Sequence, residues 1–291
     1  MGAFLWRGCS LETTGAKVAW RNLCFPLSED GLGIKSLRVW NQVAVMKHIW
    51  NLMVGKDSIW VHWVRKVLLK GRPFWSIPIP SKPTWSWKKI LQGREFCRGL
   101  FRCIIGNGEL TSLWYDYWLP NGKRICDLAS SSEIRQSNLH QGAKVADIIH
   151  GSQWVFPQSS QSLQAIWNSI SFFPNPSIQD VCVWGDKNDS FSVFKAWRLL
   201  RQSNPTSTSM HLCWFKFRIP RHAFILWLAI KGRLRTMDRL YDHEGPRICK
   251  LCSLEDETHE HLFLTADFLM KCGLGSPQNT GLLGPTSVAS I

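Results

Sequence analysis

Seventeen tryptophans are spread along this chain of 291 residues, from Trp6 to Trp227. Average usage would place roughly four in a chain of this length. Each indole removes a large apolar area from water when buried. A chain so rich in them is expected to fold by seating most of them in packed cores, with base stacking as the minority use. A hydrophobic content of 45% fits packed domains and excludes a wholly disordered chain. The length suits two ordinary domains or one elaborated one.

The spacing of apolar residues then predicts the elements. Trp40, Val43, Ala44, Met46, Ile49, Trp50 and Met53 recur near a three-four repeat, which predicts a helix over residues 38–54. Two more helices are expected over residues 59–69 and 85–96, with Pro73, Pro78, Pro80 and Pro83 marking a connector between them. Residues 101–105 and 110–114 flank Gly106-Asn107-Gly108-Glu109, and Asn-Gly is the preferred pair for a tight hairpin turn. A second hairpin is expected from residues 181–184 and 191–193, feeding a helix over residues 195–201. Residues 121–163 read as loop and short helix. Residues 212–217, 221–230 and 234–241 read as three short helices. The fold class is therefore α+β and predominantly helical, with short β-hairpins and a small helical module near the C-terminus.

Charge narrows the function. The formal net charge is +14, and before residue 251 there are 34 basic against 16 acidic residues, a balance of +18. A lobe this basic attracts polyanions, which makes RNA or DNA the expected partner. The densest basic stretch holds Lys216, Arg218, Arg221, Lys231, Arg233, Arg235 and Arg239, the candidate phosphate-binding residues. No apolar run approaches the ~18 residues of a membrane span, and no pattern points to a small-molecule substrate. The opening residues are too short an apolar stretch for a secretory signal. Eight of the ten cysteines stand singly, which suits the reducing nucleus or cytoplasm rather than secretion.

The remaining two, Cys249 and Cys252, have a ligand spacing, and His261 follows after eight intervening residues. Two thiolates from a short knuckle and an imidazole one turn on can converge on a zinc ion. A Cys at position 266 would complete the set, and the sequence has Ala266. His259, Asp267, Cys272 or a water are the substitutes. On a helix, His259 would point about 200° away from His261, and Cys272 would lie about 16 Å further along. A metal-free pair of thiols is the competing reading. His259-Glu260-His261 lacks the spacing of a zinc hydrolase. No phosphate-cradling loop, nucleophile elbow or close acidic pair is present, and Asp116 is a lone carboxylate among aromatic residues. The expectation is a chain without catalytic residues.

Several stretches together resemble one family. Leu23-Cys24-Phe25-Pro26, Gly31-Leu32-Gly33-Ile34, Trp85-Ser86-Trp87 and Ile105-Gly106-Asn107-Gly108 through Thr111-Ser112-Leu113-Trp114-Tyr115-Asp116-Tyr117-Trp118-Leu119-Pro120 are similar to the region downstream of the polymerase core in plant non-LTR (LINE-type) retrotransposon reverse transcriptases. Ser190-Phe191-Ser192-Val193, Ala196-Trp197, Trp214-Phe215-Lys216 and Pro220-Arg221-His222-Ala223-Phe224 resemble the zinc-binding domain of the same family. Cys249, Cys252 and Glu260-His261-Leu262-Phe263 resemble its ligand block, which has Cys where this chain has Ala266.

The resemblance implies a connector region over residues 1–125 and a reverse-transcriptase zinc-binding domain over 179–270; weak periodicity gives a linker with short elements over 126–178, and a composition rich in Gly, Ser and Pro gives an unstructured tail over 271–291. In that family the palm with its paired aspartates lies upstream and an RNase H domain often follows. The chain is thus expected to be a non-catalytic, nucleic-acid-binding fragment of a retrotransposon polyprotein that carries a zinc knuckle. The alternative is a decayed or domesticated structural or interaction protein that binds neither metal nor nucleic acid.

Overall fold

The computed structural model describes residues 16–158, 160–185, 190–208, 210–239, 245 and 247–265. Trp6, Ala266, Asp267, Cys272, part of the third short helix expected over residues 234–241 and the whole expected tail lie outside them. The described residues form a predominantly helical α+β fold with two small antiparallel sheets of two strands each. Two compact units result. One joins the residues up to Ser36 to those from Gln202 onward, and the other is Leu37–Arg201.

The discontinuous unit begins with the helical turn α1 (Trp20–Leu23). The continuous unit then opens on α2 (Leu37–Met53), which buries Val43, Met46 and Ile49 of the predicted repeat together with Leu52, while Trp40 and Ala44 of that repeat stay exposed. The next helix, α3 (Ile59–Trp63), is capped by the Ser58 hydroxyl, which accepts from the Val61 N–H at 3.3 Å, and it runs on as a π-helical Val64–Leu69. Thr84 caps α4 (Trp85–Gln92) in the same way. Gly93 interrupts the path before α5 (Arg94–Cys97).

The proline-marked connector is not a free linker. Phe74, Trp75 and Ile77 are buried in the same core as α2. The Arg94 guanidinium donates to the carbonyls of Phe74, Trp75 and Ile77 at 3.1, 3.2 and 2.8 Å. One planar cation with several donors thus satisfies backbone carbonyls that prolines leave without partners in regular structure.

Both predicted hairpins are replaced by a different pairing. Strand β1 (Phe101–Ile104) does not turn back on residues 110–114; its partner lies far downstream in sequence. Between the two strands come α6 (Ile125–Leu128), α7 (Ser131–Gln136), the short hairpin of β2 (Ile149–His150) with β3 (Gln153–Trp154), and α8 (Gln161–Asn168). Then β4 (Val181–Trp184) pairs antiparallel with β1, Phe101 opposite Trp184 and Ile104 opposite Val181. Residues 191–192 are not strand. Ser192 instead caps α9 (Val193–Leu200), which packs on α2.

The cause is one carboxylate. Asp180 accepts from the N–H groups of Gly106, Gly108, Leu110 and Thr111 at 2.8, 2.8, 3.1 and 3.0 Å, and from the Thr111 hydroxyl at 2.8 Å. Residues 106–111 therefore wrap an anion rather than form a two-residue turn. Both glycines are required by this path. A Cβ on Gly106 would overlap the Ile178 carbonyl, and Gly108 adopts φ +74° with the backbone of Val145 and Ala146 against it.

The same unit holds a second core around Trp114, Trp118 and Trp167, to which residues 125–167 contribute Ile125, Ile134, Val145, Ile148 and Leu163. Trp154 stacks on Phe156, and Phe156 on Trp167, with ring centroids 5.9 and 5.0 Å apart. The indole N–H groups of buried Trp114 and Trp118 and half-buried Trp154 donate to backbone carbonyls, so the polar edge of each ring is satisfied. Of the described tryptophans only Trp40, Trp63 and Trp85 are exposed, which places the indoles mostly in cores.

The discontinuous unit resumes with α10 (Met210–Cys213) and α11 (Pro220–Ile230), where proline occupies the first turn. Val18, Leu23, Met210, Cys213, Trp227 and Leu228 make its core. Among the described residues no helix is long and apolar enough to cross a membrane.

Candidate metal centre

Downstream of α11 the chain turns back on itself. The Cys249 N–H donates to the Glu255 carbonyl at 2.7 Å, the Ser253 N–H to the Cys249 carbonyl at 2.8 Å, and Ile248 bridges Asp256. Ser253 takes a left-handed conformation, φ +57°, at the tip of this knuckle. Thr258 then begins a helical turn. Its hydroxyl accepts from the His261 N–H at 3.1 Å, and its carbonyl accepts from the Leu262 N–H at 2.9 Å. The cap fixes the phase of the turn that carries His261.

The result is a three-residue donor set. One ligand atom each from Cys249, Cys252 and His261 lies within 4.8 Å of the others. The Cys252 Sγ is 3.0 Å from the His261 Nε2. Cys249 and His261 are buried, and Cys252 is half-buried. The backbone N–H groups of Glu255 and then Leu254, helped by His261 and Cys249, hold the Cys252 thiol down at about 7. A thiol so placed yields its proton readily, and the thiolate is the form that binds metal.

The other ring nitrogen of His261, Nδ1, lies 3.0 Å from Glu255 Oε2. A carboxylate on the far side of a ligating imidazole fixes its orientation and raises its basicity, a recurrent outer partner in zinc sites. Two soft sulfurs, one oriented imidazole and a knuckle that turns amides toward a thiolate fit zinc. Glu255 was invisible to the spacing argument, although an acid inside a Cys-to-His interval is the signal that marks it.

Of the proposed fourth ligands, His259 stands apart from the set, its ring against Phe263 with centroids 5.0 Å apart. That agrees with the opposed directions expected of positions two apart on a helix. Position 266, Asp267 and Cys272 lie outside the described residues. Asp116, the lone acid among aromatics, is buried in the other unit and accepts from the Ser112 N–H at 2.7 Å. Burial pushes its carboxyl up to about 6, the signature of a loop-fixing carboxylate enclosed in a core.

The basic stretch feeds directly into the knuckle. Residues 210–236 contain no Asp or Glu. Lys216, Arg221, Arg233, Arg235 and Arg239 are exposed, and Arg218 is half-buried with its guanidinium 5.5 Å over the Trp214 ring. Lys231 differs from the rest: it is drawn onto Asp30 in an ion pair and lies 5.5 Å over Trp227. Arg239 donates to the Gly232 carbonyl and lies 3.9 Å from Asp238. Glu257 ties the two parts together. Its side chain accepts from the Met237 N–H at 3.2 Å, its carbonyl from the Asp238 N–H at 3.3 Å, and its own N–H donates to Arg247 at 2.7 Å.

Comparison with known proteins agrees with this geometry. Residues 191–272 match the family described as zinc-binding in reverse transcriptase, and the three-ligand cluster lies within the matched stretch. A protein of Arabidopsis thaliana provisionally named a ribonuclease H protein is 25% identical over 277 residues, 89% of this chain but 44% of that protein. Two proteins of the same plant named uncharacterized mitochondrial proteins are 29% identical over 121 residues and 38% identical over 76 residues, covering 41% and 24% of this chain and 78% and 52% of their own lengths. The chain thus spans less than half of the first of these relatives. No solved structure matches it. Together the matches support the resemblance to the reverse-transcriptase region of plant retrotransposons.

Proposed function

We propose that the chain is a non-catalytic nucleic-acid-binding fragment of a retrotransposon polyprotein. In this reading Cys249, Cys252 and His261 hold a zinc ion, and the basic residues before them bind RNA or DNA through phosphate. The observation that carries it is that the three-ligand knuckle is held, through Glu257 on Met237 and Asp238, at the end of a stretch of 27 residues that has no acid. When bound, zinc supplies a rigid cross-link between the knuckle and the turn that carries His261. Cys249 and Cys252 provide the sulfur ligands, His261 provides Nε2, and Glu255 holds the imidazole in place through Nδ1.

Lys216, Arg218, Arg221, Arg233, Arg235 and Arg239 supply the charge. Lys231 is assigned to the fold, since Asp30 neutralises it. Six phosphate contacts on a single strand give log affinity a slope of about −4 against log salt. Between 50 and 200 mM salt the affinity for a labelled single-stranded RNA or DNA oligomer is then expected to fall by roughly 250-fold. Replacing Arg233 and Arg235 by Ala together is expected to flatten the slope by about 1.4 while leaving the circular dichroism spectrum unchanged. Fluorescence anisotropy across a salt series measures both. Affinity that ignores salt, or a slope untouched by the double variant, refutes the assignment.

A further inference from the structure

The turn between α10 and α11 carries an arrangement that phosphate binding alone does not explain. Phe215 and Phe217 alternate there with Lys216 and Arg218. The turn is closed by the Arg218 N–H on the Phe215 carbonyl, and the Arg218 guanidinium donates to the same carbonyl at 2.9 Å. That bond places Lys216 and Phe217 at the tip. Phe217 is 85% exposed and Phe215 54% exposed.

Leaving a phenyl ring in water forgoes the burial that stabilises the rest of this aromatic chain. The neighbouring Trp214 and Phe224 pack against the core of the same unit, so apolar space was within reach of this segment. The Lys216 ammonium lies 5.6 Å over the Phe217 ring, and Arg221 stands exposed in the first turn of α11. Exposed aromatic rings interleaved with cations are the composition that takes unpaired bases, which stack on the rings while the cations follow the phosphates. A duplex offers no free base faces to such a turn.

From this geometry we propose that the turn over residues 214–219 is a stacking platform for single-stranded nucleic acid, with Phe217 receiving one base and Phe215 a second. The proposal rests on the phosphate-binding reading above and adds what that reading leaves open, a preference for unpaired strands. The absence of acids over residues 210–236 favours a polyanion over a protein partner as the occupant.

The test uses the full chain with zinc present and four probes: a fluorescent oligothymidine, an abasic oligomer of equal length and charge, a matched duplex, and polyglutamate. The wild type is expected to bind oligothymidine at least 10-fold more tightly than the abasic strand. Phe217→Ala is expected to weaken oligothymidine binding about 10-fold, Phe217→Trp to restore it and Phe217→Leu to fail to do so. Duplex affinity and the salt slope should stay unchanged in all three variants. Because Phe217 is exposed, the fold tolerates these changes, and Phe215→Ala repeats the test at the second ring.

Equal affinity for thymidine and abasic strands, with the salt slope intact, overturns the platform and leaves phosphate binding standing. Failure of the wild type to bind any strand overturns both. Polyglutamate binding that matches the oligomer and is lost in Phe217→Ala makes the turn a protein-docking surface and overturns the assignment to nucleic acid.

Discussion

His261→Ala is expected to leave the purified protein almost free of zinc, and Cys249→Ser is expected to do the same, against about one ion per chain in the wild type. The argument starts from the outer partner. Removing a carboxylate that orients a ligating imidazole lowers zinc affinity by roughly 10- to 100-fold in characterised sites. Glu255→Ala is therefore expected to fall in that range, since Glu255 meets the Nδ1 of His261 at 3.0 Å. Loss of a ligand removes a bond to the metal itself and has the larger effect. The two ligand variants differ in what remains. His261→Ala keeps both sulfurs on the knuckle, whereas Cys249→Ser keeps the imidazole and one thiol that backbone amides already favour as thiolate. Metal analysis after gel filtration gives the stoichiometry. Limited proteolysis reports whether residues 248–265 hold together once a chelator is added. Undiminished zinc in either ligand variant removes Cys249 or His261 from the centre, and with it the proposed cross-link.

This centre was legible in the sequence because its ligands lie within 13 residues of one another. Over so short a span the knuckle and one helical turn leave few alternative geometries. The same locality made α2 legible, since its three-four repeat needs no distant partner to show which residues are buried. Where a distant residue decides, the local signals mislead. Asn107-Gly108 is a sound turn signal, yet the partner that overrides it, Asp180, lies 72 positions beyond Gly108. Lys231 looked like one more base in a basic stretch, and it is neutralised by Asp30, 201 positions away. Prolines at 73, 78, 80 and 83 marked irregular backbone correctly. They carried no sign that Phe74, Trp75 and Ile77 between them would be core, because that burial depends on Arg94 donating to their carbonyls.

The most damaging single change in the continuous unit is expected at Asp180, a residue that no functional motif contains. Its carboxylate is the common acceptor for four backbone N–H groups and one hydroxyl, and Gly106, Gly108 and Thr111 among these donors are buried. In Asp180→Ala those donors lose their partner at once. Hydrogen bonds to a charged acceptor contribute about 1.5–3 kcal/mol each, and water can restore some of them on the exposed side at Leu110. A net loss of about 4 kcal/mol is a conservative expectation, a large share of the roughly 5–15 kcal/mol that stabilises an ordinary domain. For a unit of this size it corresponds to a fall in melting temperature of at least ~8 °C. Asp180→Asn separates charge from shape. It keeps one oxygen acceptor but turns an NH2 group toward N–H donors, so it is expected to recover little of the loss. The strand pairing shares the damage, because Asp180 immediately precedes β4 and sets where Val181 meets Ile104. Differential scanning calorimetry on the wild type and both variants decides the matter. If Asp180→Ala melts within about 2 °C of wild type, the loop over residues 106–111 holds its path without the anion, and the account of why Asn107-Gly108 fails to make a hairpin is wrong.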